Sequence, residues 1–384
     1  MPENLFCPSA LGALRPEGKS SYGLGHICAN IHYLCRVLRK KPMFFARLMR
    51  NYLLLLMKPQ RPPLRFADIA VTYDCNMRCT HCSSTSLKRP HQSPLTLDDY
   101  VLIAQKLLKA GVLVVNFTGG EPFVRQDLPE IISVFQPHKL LVAIQTNGLL
   151  VTEERLSALR ELGVDSLGIS IDSPDRAVHD TFRNTKGAFD HAVAALGVGA
   201  KLGYNVGVSY CLTHSNLHST EREGIVALAE RFGALLNYNL LVPIGFMKGR
   251  TDDLLTVEDR EYLNHLLREN PRTKTDFETN YYRRGCGAIK EKIYISAYGE
   301  VMPCPFIQIS FGNILHEDID TIRRRAFQYS YFSGYPQQCL AAENREFIRT
   351  ALCYDPAISD ASLPLPYSLA FRSQVKASST SGAC

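Results

Sequence analysis

Along most of this 384-residue chain, apolar and polar positions alternate between two periods. Short apolar runs rich in β-branched residues are each followed by a longer stretch with apolar residues at helical spacing. The runs fall at 69–73, 112–117, 139–145, 165–172, 204–212 and 235–243. Between them, Thr96 has the features of a helix cap, with Asp98 and Asp99 in the first turn and Gly111 as the stop. Further helices are expected over 152–162 and 217–232. Six such βα units predict an α/β fold, a partial (β/α)6 TIM-type barrel over residues 65–250, with ligands at the C-terminal ends of the strands.

Outside the barrel the pattern changes. Residues 1–64 read as a helical N-terminal extension in which basic and apolar residues alternate from 26 to 58, with Pro42 separating two helices. Two readings fit residues 28–58. Either the helices pack across the barrel with Lys and Arg in solvent, or they form a basic amphipathic surface in peripheral contact with a membrane. Residues 251–365 form a small C-terminal unit whose helix near 256–268 precedes a hairpin turning at Ala297-Tyr298-Gly299-Glu300. Residues 366–384, ending in the Ser-rich stretch 377–384, read as a disordered tail.

The formal charge of +6 is too mild to imply a nucleic-acid partner. No cleavable signal is visible at the N-terminus, and no apolar run approaches the ~20 residues of a bilayer span. Twelve cysteines without a secretion signal favour metal ligation in a reducing compartment, so a cytoplasmic location is expected.

Three of those cysteines, Cys75, Cys79 and Cys82, stand at C-x3-C-x2-C spacing on the loop leaving the first strand. Three thiolates on one loop suit three irons of a cubane cluster and leave the fourth iron open. Cys79-x-x-Cys82 alone would also suit a redox pair or half a zinc site. The motif resembles that of the radical S-adenosylmethionine (SAM) enzymes. In that family the open iron of a [4Fe–4S] cluster chelates the amino and carboxylate groups of SAM. Further matches follow in order. Thr118-Gly119-Gly120-Glu121-Pro122, one βα unit later, matches the motif that binds the SAM amino group, which places Gly119, Gly120 and Glu121 at its methionine end. Ser170 and Asp172, on the tip of the fourth strand, match the position that meets the SAM ribose; Asp172 as the cap of the next helix is the alternative. Arg183 resembles an arginine that relatives place near SAM or substrate. The loop at 243–250 resembles a segment beside the adenine and methionine.

A second set of cysteines follows. Cys286, twelve residues, Gly299, four residues and Cys304 resemble the opening of the SPASM and Twitch extensions, which carry auxiliary iron–sulfur clusters. The dense C-x2-C-x5-C-x3-C block of a full SPASM extension is missing downstream, where only Cys339, Cys353 and Cys384 remain. The resemblance therefore implies one auxiliary [4Fe–4S] cluster, with Cys286, Cys304 and Cys339 as ligands. Cys353 is either the fourth ligand or a buried free thiol. Cys7, Cys28, Cys35 and Cys211 read as packing residues.

The resemblance implies an enzyme that cleaves SAM reductively to a 5′-deoxyadenosyl radical, which abstracts a substrate hydrogen. The auxiliary cluster would assist electron transfer, and a flavodoxin or ferredoxin would supply electrons. Small-molecule, peptide and lipid substrates are all compatible, and no leader-binding βββ-plus-helices domain is visible. Oxidation, epimerisation and carbon–carbon or carbon–sulfur bond formation all fit. Two other classes compete: a non-enzymatic iron–sulfur electron carrier, and a zinc-stabilised binding module. The carrier explains the cysteines but not the Gly-Gly-Glu-Pro and Ser170-Ile171-Asp172 stretches in register. No general acid or base is singled out; Glu121, Asp172, Tyr210 and Tyr238 all lie near strand ends.

Overall fold

The computed structural model describes residues 40–275, 281, 285–352 and 363–371. Each of the six expected strands forms: β1 (Phe66–Thr72), β2 (Val114–Gly119), β3 (Leu141–Thr146), β4 (Ser166–Ser170), β5 (Asn205–Leu212) and β6 (Leu235–Leu240). They pair in parallel in sequence order. Two-sided burial of such strands requires helices on the outside. Helices Leu97–Ala110, Glu153–Leu162, Ala188–Lys201 and Thr220–Arg231 meet that need, burying side chains such as Ile103, Leu156, Leu196 and Ile225 in the main core.

The sheet continues beyond the six expected strands. A seventh, β7 (Thr273–Thr275), adds in parallel to β6, and β8 (Lys292–Ile295) adds in parallel to β1. An antiparallel β9 (Val301–Met302) then follows β8, giving the order β7-β6-β5-β4-β3-β2-β1-β8-β9. This is an open, partial TIM-type barrel of mixed α/β class. The expected hairpin is thus β8–β9, and it extends the barrel sheet. Gly299 at its turn has φ +89°, and a Cβ there would come 2.8 Å from Asn313 Oδ1.

Helix boundaries follow local chemistry. Thr96 forms a capping box with Asp99, and Gly111 ends that helix in the left-handed region. Asp175, not Asp172, caps the helix Arg176–Arg183, which removes the capping alternative for Asp172. The tail was expected to begin at 366, yet Leu365–Pro366 pairs with Ile309–Ser310. Tyr367 and Phe371 then stack on Phe311 and pack edge-on or tilted against Tyr329, so aromatic packing holds the chain to residue 371. Residues 372–384, with Cys384, lie outside the described residues, as do Cys7, Cys28, Cys35 and Cys353.

In the N-terminal region the described part is α1 (Pro42–Met57), with Pro42 in its first turn. Phe44 and Leu48 pack on Leu113, Val114, Leu141 and Leu235, so α1 lies across the N-terminal ends of β2, β3 and β6. Lys41, just before it, is buried and donates to Leu140 O (2.8 Å), Gly163 O (2.9 Å) and the Asp165 carboxylate. Lys41→Met would leave Asp165 buried without its cation, at an expected cost of about 3–5 kcal/mol. Urea unfolding followed by circular dichroism measures it.

Candidate active site and iron–sulfur ligands

At the opposite end of the barrel, the loop after β1 carries Cys75, Cys79 and Cys82. Its shape is fixed by close backbone contact with the loop after β2. Gly120 N–H donates to Thr72 O (2.7 Å) and Glu121 N–H to Asp74 O (2.9 Å). A Cβ on Gly119 would lie 2.1 Å from Thr72 O, and one on Gly120 would lie 2.2 Å from Asp74 O. Both glycines are therefore required by the approach of the chain to itself. They also line the cavity described below.

Glu121 is buried and saturated. Its carboxylate accepts from Phe123 N–H (3.1 Å), Thr146 Oγ1 (2.8 Å) and Asn147 N–H (2.8 Å). Burial raises its pKa, against those hydrogen bonds. Its direct task is to tie the tip of β3 to the glycine loop, and Asn147 is thereby aimed at the cysteine loop. Asn147 Nδ2 donates to Asn76 Oδ1 (2.8 Å) and reaches Cys75 Sγ (3.8 Å); Met77 N–H also donates to Cys75 Sγ (3.4 Å).

The other side of the loop is held by the end of the helix Arg176–Arg183. Thr80 N–H and Oγ1 donate to Phe182 O, and His81 stacks on the Phe182 ring at 4.2 Å. Burial lowers the His81 pKa to about 4, so the ring is neutral. Arg183 is buried; its Nε and Nη2 bind Asp172 Oδ2 (2.6 and 2.5 Å), and its Nη1 reaches Cys79 Sγ (3.8 Å). Asp172 Oδ1 accepts Cys211 N–H (3.0 Å). Burial favours the neutral form of Asp172, but Arg183 foremost outweighs it and holds the pKa below the usual range. Gly245, with φ +58°, brings the loop after β6 onto the same segment, where Phe246 N–H donates to Cys82 O.

The donor set fits an iron–sulfur cluster. Three thiols from one loop face one cavity, and N–H groups already point at two of the sulfurs, as thiolate ligands of a cluster require. Burial pushes the free Cys75 thiol up to about 11, and iron would reverse that by stabilising the thiolate. Among the described residues, no three His, Cys, Asp or Glu side chains converge on a single-ion centre.

A cavity of about 630 Å³ runs from this loop into the barrel. Ser170 lines it beside Cys75, Cys79, Cys82, Asp172 and Arg183. Ser170, Ser209, Asn237 and Lys274 are neighbours across β4, β5, β6 and β7, and all four face the cavity. Deeper in, Asn116 Nδ2 donates to Asp68 Oδ1 (2.6 Å), and Lys292 stands 3.5 Å from Asp68. Asn116 Oδ1, Ser166 Oγ and Asn237 Oδ1 are buried and make no hydrogen bond among the described residues. Apart from Ser170, none of these strand residues facing the lumen was singled out from sequence, although a signal exists. In β5, Asn205-Val206-Gly207-Val208-Ser209-Tyr210-Cys211-Leu212 alternates polar or small with apolar, whereas a strand packed on both faces would be apolar throughout. Tyr210 is buried in the core, and Cys211, read as a packing residue, lines the cavity.

Cys286, Cys304 and Cys339 form a second group. The Cys304 thiol is pushed well up by burial, with Cys286 and Cys339 adding to the shift. Cys339 rises to about 12 from burial and then Cys286. Cys286 N–H donates to Pro336 O (2.8 Å), and Cys339 N–H donates to Glu343 (2.7 Å), whose carboxylate also accepts from Arg260.

Comparison with known proteins places these features in a family. The radical SAM superfamily model matches residues 69–228, and an iron–sulfur cluster-binding domain model, SPASM, matches 286–353. The second match begins at Cys286 and ends at Cys353. The AdoMet-dependent heme synthase of Nitratidesulfovibrio vulgaris is 28% identical over 301 residues, covering 71% of this chain and 82% of that protein. The mycofactocin maturase MftC of Mycolicibacterium smegmatis is 32% identical over 265 residues, covering 64% of this chain and 66% of that one. Among solved structures, Streptococcus suis SuiB bound to precursor peptide SuiA superposes with a TM-score of 0.58 at 15% identity, covering 84% of this chain and 75% of that chain. That likeness concerns the fold. With its cysteine loop and both domain matches in sequence order, the chain belongs to the radical SAM superfamily and carries a SPASM iron–sulfur cluster-binding domain after the barrel.

Proposed function

We propose that this radical SAM enzyme removes a hydrogen atom from a polar small molecule or peptide held in the barrel lumen, as a step in maturing a natural product. When bound, the [4Fe–4S] cluster and SAM supply a 5′-deoxyadenosyl radical for that abstraction. Cys75, Cys79 and Cys82 hold the cluster in this reading, with Gly119, Gly120 and Ser170 beside SAM. Glu121, Asp172 and Arg183 position the loops around it. Cys286, Cys304 and Cys339, with Cys353 as the candidate fourth ligand, hold one auxiliary cluster that assists electron transfer.

The observation that carries the substrate class is the polar lining of the lumen. Unpartnered acceptors on Asn116, Ser166 and Asn237 would be costly to bury, and a substrate bearing N–H or O–H donors satisfies them. A lipid chain would leave them unmet. With relatives named as a heme synthase and as a mycofactocin maturase, the fold alone does not set the substrate.

The test uses perdeuterated cell extract separated into aqueous and lipid fractions. Reconstituted enzyme incubated with the aqueous fraction is expected to yield deuterated 5′-deoxyadenosine. Deuterium transfer from the lipid fraction alone would overturn the polar-substrate reading. Cys286→Ser with Cys304→Ser is expected to keep SAM cleavage while losing the auxiliary cluster and substrate turnover; full turnover without that cluster would remove its assigned role.

A further inference from the structure

The outward face of α1 is apolar. Met43, Phe45, Met49, Leu53, Leu56 and Met57 are all exposed, the last two by 79% and 73%. Phe44, Leu48 and Asn51 on the opposite face are buried against the barrel floor. A helix that only covered the barrel would turn polar residues outward, so six large apolar side chains in one stripe call for a partner.

Charge identifies that partner. Between Glu17 and Asp68 the sequence contains no Asp or Glu and ten Lys or Arg. That segment carries +10 against +6 for the whole chain, so the remainder carries −4. Exposed Lys40, Arg50, Lys58 and Arg61 lie on α1 or within four residues of its ends. Among the described residues, these four exposed cations thus flank or interrupt the exposed apolar stripe of α1.

We infer that α1 docks this protein on an anionic lipid bilayer, with the apolar stripe in the headgroup–acyl boundary and the flanking cations on lipid phosphates. Interfacial helices combine these two contributions: apolar burial gives depth, and each nearby cation adds attraction that salt screens. No described helix is long and apolar enough to cross a membrane, so the contact is peripheral. Because α1 lies under the N-terminal strand ends, docking leaves the cysteine loop and cavity mouth facing water. Membrane docking is therefore independent of whether the substrate is polar.

Co-sedimentation of the full chain with phosphatidylcholine vesicles, with and without phosphatidylglycerol, tests this at low and high salt. The protein is expected to sediment with the anionic vesicles at low salt and to be released by salt. Leu53→Gln with Leu56→Gln should weaken binding roughly tenfold or more, and Arg50→Glu with Lys58→Glu should do the same. Both double variants should keep wild-type circular dichroism and SAM cleavage. Failure of the wild type to bind anionic vesicles would overturn the inference, as would unchanged binding by the glutamine variant. A wild-type dimer in light scattering that the glutamine variant converts to monomer would also overturn it, by assigning the stripe to a second copy.

Discussion

Replacing Cys75, Cys79 and Cys82 together by alanine is expected to leave a folded protein that keeps about four irons after anaerobic reconstitution, against about eight in the wild type. Formation of 5′-deoxyadenosine should fall below detection. The reasoning is local. The three thiols come from one loop whose backbone is pinned by Gly120, Glu121, Phe182 and Phe246, none of which depends on the sulfurs. Their removal should therefore spare the barrel. Cys286, before β8, and Cys304 and Cys339, after β9, lie in another part of the chain and should retain their own iron. Iron counting, circular dichroism and chromatography of the nucleoside product read the three consequences separately. Retained SAM cleavage would show that the radical chemistry does not depend on this loop.

Arg183→Met should have two effects that are measured independently. Asp172 loses the cation that outweighs its burial, so the fold should lose about 3–5 kcal/mol. Cys79 Sγ loses its N–H neighbour, and with it a positive charge close to the cluster. The cluster reduction potential is then expected to fall by on the order of 100 mV. An electron paramagnetic resonance titration of the reconstituted enzyme, without SAM, reads the potential. Arg183→Lys keeps the charge but not the forked geometry, and should recover part of the potential and less of the stability. A potential unchanged in Arg183→Met would reduce Arg183 to a structural partner of Asp172.

The sequence was most legible where one residue type has one local job. Six strands, the Thr96 cap and the Gly111 stop could be read because period and capping act within a few residues. The cysteine loop was legible for a different reason: its spacing encodes a ligand set. Other features depend on contacts distant in sequence. Gly119 and Gly120 pointed to a ligand, but their small size is first required by Thr72 and Asp74 across the strand pair. Asp172 looked like a ribose contact or a cap, and its dominant partner proved to be Arg183, eleven residues on. β7 is three residues long and has no periodicity to detect. Tyr367 and Phe371 sit beside a polar tail, and only the aromatic cluster around Phe311 reveals why they are held. The lumen was legible in principle, through the alternation in β5, but polar residues in a strand are easily assigned to an exposed face instead.

The most direct measurement of the central claim is anaerobic reconstitution of the wild-type protein with iron, sulfide and reductant, followed by iron counting and product analysis after SAM is added. About eight irons per chain, with 5′-deoxyadenosine formed, is the result expected for a radical SAM centre and one auxiliary cluster. A colourless protein that binds one zinc and leaves SAM untouched would contradict it. Eight irons with SAM intact would contradict the enzymatic part alone and leave an electron carrier.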